Sequence, residues 1–300
     1  MSAARLVLPG RVVELRPGRP LVMGIVNAGP DSFSDTVRQT TLEAQLRHAL
    51  NLVAEGADLI DVGAESGVTY NEPSPADVES ERVVPLVERL AAEGVTVSVD
   101  TFKPAVARAA LAAGAAMIND VSGLRDPALA DAVAEAGAAL VVLHTRAAPK
   151  EERFPDYGGD VLGDVRAFLA ERLELAQARG VDPDALVVDP GPDFAKTPAE
   201  SVAVLRALGD LHQLGRPILL AVSRTYGLGA ITGRPPADRL AATLAAVGHG
   251  VAAGAAIVRV HDVGATVDYL RTRRVLAGEE ELPAHDPADE RLKWIRPEDR

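Results

Sequence analysis

Eight short apolar runs, each closed by a polar residue, constrain this chain more than any other feature. They are VMGIVN ending at Asn27, ADLID at Asp61, VTVSVD at Asp100, AAMIN at Asn119, ALVVLH at His144, ALVVD at Asp189, ILLAVS at Ser223 and AIVRVH at His261. Ala-, Leu-, Glu- and Arg-rich segments of helical character lie between them. Apolar strands alternating with helices call for a parallel sheet covered on both faces. Eight such units over roughly 250 residues predict a single-domain α/β fold, a (β/α)8 TIM barrel, with its active site at the carboxyl ends of the strands. The eight polar ends then ring one mouth.

The pattern predicts strands at 21–27, 58–63, 95–100, 116–119, 138–143, 185–188, 217–222 and 255–260. Helices are expected at 40–55, 77–93, 104–113, 127–136, 161–179, 198–214, 236–253 and 264–276. Helix, glycine, then strand recurs through the chain, as turn chemistry on the stable face of a barrel requires. The longest loops follow the first, second and fifth strands, on the face where function is expected. Residues 1–20 read as a hairpin across the barrel bottom, 21–277 as the barrel, and 278–300 as a charged tail in which Trp294 is a candidate anchor.

A chain of 300 residues, 47% hydrophobic, can bury one large core. It has no cysteine, so disulfides and thiolate metal sites are excluded. No secretory leader or membrane span is read, and a cytoplasmic location is expected. The net charge of −12 with 3% aromatic residues disfavours general nucleic-acid binding, which needs clustered cations. Small anions remain open as ligands. Lysine occurs only at 103, 150, 196 and 293, so each lysine marks a place of interest.

Taken singly, the strand-end residues have ordinary alternatives. Asp100 can cap the helix that starts near Pro104. Asn119 and Asp189 can be turn formers. Taken together, Asp100, Asn119 and Asp189 aim into one mouth, where buried polar groups need partners. A planar heterocycle with adjacent N–H and amino donors, guanine-like or pterin-like, would satisfy them. Arg259 and His261 share a face of the last strand by period-two alternation, beside Asn27 on the first. That trio suits a phosphate with a divalent cation; an Arg259 salt bridge to Asp262 or Asp61 is the alternative. His144 reads equally as structural or catalytic. No Walker loop, HExxH or GxSxG is present.

The motifs MGIVNAGPDSFSD (23–35), DVGAES (61–66), SVDTFK (98–103), INDVSGL (118–124), DPGPDFAKT (189–197), SRTYGLG (223–229) and RVHDV (259–263) resemble the dihydropteroate synthase family, the pterin-binding barrels of folate synthesis. The resemblance spans about residues 20–276. It implies a transferase that joins 6-hydroxymethyl-7,8-dihydropterin diphosphate to p-aminobenzoate and releases diphosphate. Carried onto this chain, Asp100, Asn119 and Asp189 hold the pterin edge and Phe194 packs on the ring. Arg259, His261 and Asn27 hold the diphosphate, with Asn27 as the protein ligand of Mg²⁺. Asp31 and Ser32, in the loop that closes over the site, and Arg224 act at the reacting centre. Ser223 sits near the benzoate. A homodimer is expected.

Three departures accompany the resemblance. The family's Ser-Arg-Lys reads Ser223-Arg224-Thr225, so the substrate-contacting lysine is Thr225. The family's Glu-Ser-Thr-Arg-Pro-Gly reads Glu65-Ser66-Gly67-Val68-Thr69-Tyr70, and its Thr-Pro-Asp-Ser reads Gly29-Pro30-Asp31-Ser32. These changes keep two other readings open: a non-catalytic pterin-binding paralogue with a partner role, and a slow or acceptor-altered transferase. Pterin-dependent methyl transfer on a similar barrel is disfavoured, since it needs no diphosphate site.

Overall fold

A computed structural model of the chain describes residues 4–29, 41–65 and 73–284. The anticipated GPDSFSD loop beyond Gly29, most of the loop after Glu65, and Trp294 lie outside the described residues.

The first element is an antiparallel hairpin, β1 Ala4–Leu8 with β2 Arg11–Leu15. The barrel follows as β3 Leu21–Asn27, β4 Leu59–Gly63, β5 Val97–Asp100, β6 Met117–Asp120, β7 Ala139–Leu143, β8 Leu186–Asp189, β9 Leu219–Leu220 and β10 Ile257–Val260. Their order is β8-β7-β6-β5-β4-β3-β10-β9, all parallel. A single bridge, Val188 to Ile218, with Val188 N–H donating to Pro217 O at 3.0 Å, closes the ring. The strand residues are buried almost throughout, as both-face cover demands.

The helices are α1 Leu42–Ala54, α2 Ala76–Ala92, α3 Pro104–Ala112, α4 Ala128–Ala136, α5 Val161–Ala178, α6 Pro198–Arg206, α7 Tyr226–Thr232, α8 Leu240–Ala252 and α9 Val263–Leu276. Thr41 caps α1, and Thr197 with Glu200 forms a reciprocal capping box on α6. Gly114, after α3, has φ +106° and an approach to Ala91 that a side chain would crowd.

Three anticipated elements differ. The strand expected at 217–222 pairs only over Leu219–Leu220, because Pro217 has no N–H to donate and the chain leaves the ladder early. The helix expected at 198–214 stops at Arg206 and continues as a 3₁₀ turn, Leu208–Leu214, which contains Gly209. The helix expected from 236 begins at Leu240 after a Pro-led 3₁₀ turn, and α7 is an addition to the expected set.

The hairpin covers the amino ends of the strands. Leu6, Leu8, Arg11 and Val13 face Leu21, Asp58, Leu59 and Thr96 across a cavity of about 160 Å³. The opposite end, where the polar residues gather, is left for chemistry.

Candidate active site

Strand register brings the polar ends together. Asp100 on β5 lies beside Gly63 on β4 and Asn119 on β6, and Asp61 lies beside Ser98. Parallel partners share a face, so these residues point to one side of the sheet. Gly63 leaves the space next to Asp100 open, since a Cβ there would sit 3.4 Å from the Asp100 Cβ.

Arg259 wires this cluster. Its Nε donates to Asp61 Oδ2 at 2.6 Å and its Nη2 to Asp100 Oδ2 at 2.9 Å. Asn119 Nδ2 donates to the same Asp61 oxygen at 3.1 Å. Arg259 thus makes the salt bridge to Asp61 that was its alternative reading, and a second one to Asp100. Only two of its five N–H bonds are used in this way, which leaves donors for an anion. Burial would lower its pKa, but Asp61 and Asp100 more than offset that and raise it. Asp61 Oδ1, Asn119 Oδ1 and Ser98 Oγ are buried without a hydrogen-bond partner among the described residues.

Asp189 closes β8 and is 1% exposed. One oxygen accepts the Gly191 N–H at 2.7 Å, which bends the following turn back on the strand. Burial pushes its pKa up to about 6, with the Gly191 N–H, Lys196 and Arg259 opposing. Burial also raises Asp100, against the pull of Arg259. Both carboxylates are therefore poised to gain from new donors. Phe194, half-buried, sits on the turn after β8.

His261 follows β10. Ser223 Oγ lies 2.9 Å from its Nδ1 and accepts its backbone N–H at 3.2 Å. With burial first and then Arg224 and Arg259, its pKa falls to about 3, so the ring is neutral. The contact with Ser223 fixes the orientation of this neutral ring. Arg224, at φ +60°, is held by Asp262 at 2.8 and 3.2 Å. Thr225 turns its hydroxyl back to Val222 O at 3.3 Å. Asn27 ends β3, half-buried. Asp31 and Ser32 lie outside the described residues.

His144 takes its structural reading. Val141 and Leu143 share the face of Asn119 and Asp189, so His144 turns to the opposite side, between Asp164 on α5 and Lys196. Two roles escape sequence reasoning. Asp61 is legible as one of the eight polar strand ends and as an ion-pair candidate for Arg259, but not as the acceptor that Arg259 and Asn119 share. Lys196, within one of the family-like motifs, has no role assigned by the sequence. Its scarcity as a lysine is the one signal that points to it.

Among the described residues, no three His, Cys, Asp or Glu side chains are placed to hold a metal ion. No described helix is long and apolar enough to cross a membrane.

The family model for pterin binding enzymes matches residues 23–261, from β3 to the end of β10. The chain belongs to the pterin-binding enzyme family. Within that family it is 46% identical over 262 residues to dihydropteroate synthase of Mycobacterium leprae, covering 83% of this chain and 91% of that one. It superposes on Xanthomonas albilineans dihydropteroate synthase with 4-aminobenzoic acid at TM-score 0.84 and 44% identity, covering 94% of this chain and all of the other. Burkholderia cenocepacia dihydropteroate synthase complexed with 7,8-dihydropteroate gives TM-score 0.84 at 43% identity, covering 92% and 98%. The pterin-binding match thus encloses every polar strand end from Asn27 to His261.

Proposed function

We propose that the chain is a dihydropteroate synthase-type transferase. It would join the methylene carbon of 6-hydroxymethyl-7,8-dihydropterin diphosphate to the amine of p-aminobenzoate. The observation that carries this reading is the set of strand-end residues Asp100, Asn119 and Asp189, the last two buried and the first half-buried and bonded to Arg259, in a chain whose relatives of the same shape hold p-aminobenzoate or dihydropteroate.

The chemistry follows from the residues. A C–N bond forms, the C–O bond to diphosphate breaks, and the amine gives up a proton. Asp189 and Asp100 accept N–H donors of the pterin, and Asn119 supplies a neutral acceptor and donor. Phe194 covers a ring face. Fixing the electron-rich ring lets positive charge develop at the methylene carbon. Arg259 and the neutral His261 donate to the departing diphosphate, where charge grows during bond breaking. Ser223 both orients the His261 ring and stands next to the benzoate. Asp31 and Ser32 belong to the loop that excludes competing water, with Arg224 at the reacting centre.

Mg²⁺ fits this donor set in one way. Asn27 offers one hard oxygen, and no carboxylate cluster stands beside it among the described residues. That suits an ion that arrives on the diphosphate and keeps most of its waters. When bound, Mg²⁺ supplies charge neutralisation of the leaving group. The protein is further proposed to be a cytoplasmic homodimer.

The test is direct. Purified protein with the pterin diphosphate, p-aminobenzoate and Mg²⁺ is expected to release diphosphate in step with dihydropteroate. Pterin binding without release would establish the non-catalytic paralogue, which the change to Thr225 favours.

A further inference from the structure

Lys196 has no part in the substrate contacts proposed for pterin binding, although its role rests on that function. It is fully buried, on the helix side of the sheet with His144. Its ammonium meets four acceptors: His144 Nδ1 at 2.7 Å, Gly191 O at 2.9 Å, Phe194 O at 3.1 Å and His144 O at 3.3 Å. The His144 ring fixes the direction of these bonds. Its Nε2 lies 2.9 Å from Asp164 Oδ1, a carboxylate that Arg146 holds ionised. Nε2 therefore carries the proton and Nδ1 accepts from Lys196. Burial lowers Lys196, with Asp189, Asp164, Glu200 and Asp193 opposing.

The turn around this ammonium is unusual. Gly191, Asp193 and Ala195 have φ of +60°, +68° and +52°, and two of the three are not glycine. Such residues persist only where their surroundings over-determine them. Lys196 does so by gathering the carbonyls of Gly191 and Phe194 from inside the turn. Tyr157 holds the next carbonyl, Ala195 O, at 2.8 Å from outside. Phe194 is carried on the turn between these ties, and Asp189 stands two residues before the first of them.

We propose that Lys196, seconded by Tyr157, is a positioning residue for the pterin. It folds the turn after β8 around its ammonium and so holds Phe194 and Asp189 in the shape that receives the ring, without touching the ring.

The test uses full-length protein and calorimetric binding of 6-hydroxymethylpterin, with steady-state KM values for both substrates. Lys196→Met is expected to weaken pterin binding about 10–100-fold, the scale on which a displaced positioning group acts. The KM for p-aminobenzoate should stay within about twofold, the margin for independent sites. In a Phe194→Ala background the Lys196→Met loss should shrink, because the ring that it places is gone. Equal losses in both backgrounds, or unchanged pterin affinity, would overturn the proposal. If Lys196→Met does not fold, Tyr157→Phe decides: weaker pterin binding at unchanged p-aminobenzoate KM supports the proposal, and unchanged binding overturns it. A wild-type protein that binds no pterin sinks the functional reading and this inference together. Binding by wild type and Lys196→Met alike sinks this inference alone.

Discussion

Arg259 spans the barrel mouth between two carboxylates, Asp61 at 2.6 Å and Asp100 at 2.9 Å. A flexible lysine would give one mobile charge there; the planar guanidinium engages two acids and keeps N–H bonds for a third partner. The contrast with position 225 is instructive. Thr225 spends its hydroxyl on the Val222 carbonyl and brings no charge to the end of β9. Thr225→Lys is therefore expected to raise turnover with p-aminobenzoate by about tenfold or more while pterin affinity changes little. A fully preorganised donor is worth about 10²–10³-fold, but Gly67 and Val68, where the family carries Thr and Arg, hold the gain below that. Diphosphate release by both proteins, with calorimetry of pterin binding, checks this. An unchanged rate in a variant that binds pterin normally would show that chemistry is not limited at this residue.

At the scale of elements, one lysine joins three of them. Lys103, at the start of α3, donates to Glu65 at the end of β4 (2.5 Å) and to Glu79 in the first turn of α2. Glu65 also accepts the Ser74 N–H at 2.5 Å, so the same carboxylate ties both stems of the loop that leaves β4. Glu79 is 1% exposed. Lys103→Met would strand that carboxylate and is expected to cost about 3 kcal/mol, the scale of breaking a buried ion pair. Urea unfolding should show a lower midpoint at unchanged slope; a shift worth less than about 0.5 kcal/mol, the range of ordinary surface changes, would mean that the cluster is not holding these elements. The elements themselves are largely legible in the sequence: apolar runs and Gly-stopped helices are local signals. The exceptions are decided by distant partners. In α7 the glycines at 227 and 229 hide a helix, yet Gly227 lets the Asp193 carboxylate take its N–H at 2.9 Å, and Gly229 admits Arg239. The ring of site residues is likewise legible from strand ends, while its wiring is not, since alternation gives the face of a side chain and not its partner. The Asn119 bond to Asp61 and the turn gathered around Lys196 escape a reading of the sequence on that account.

The whole molecule carries its binding chemistry at a cost in stability. Desolvated carboxylates at the mouth suit a ligand rich in N–H donors and disfavour the empty folded state. Asp189 makes this measurable. Its folded pKa of about 6 exceeds the ordinary 3.8 because of burial. A raised folded pKa means that the folded state binds more protons than the unfolded one between those values. The empty protein is therefore penalised as pH rises from about 4 to about 6, and the penalty stays constant above that. Asp189→Asn keeps the shape and an acceptor for Gly191 but never ionises. It is expected to stabilise the empty protein by about 2–3 kcal/mol at pH 8, from roughly two pKa units at 1.36 kcal/mol each. That gap should close as pH falls from 6 to 4. Pterin affinity should move the other way. In wild type it weakens below about pH 6, as the proton competes with the ligand's donors, and in the variant it is weak at every pH. Urea unfolding at a series of pH values, set beside calorimetry with 6-hydroxymethylpterin, reads both trends. A stability difference independent of pH would show that Asp189 ionises in the empty barrel as it does in the unfolded chain, which overturns the raised pKa; a gap that keeps widening above pH 6 would show that it stays neutral in the empty barrel and is ionised only by the pterin.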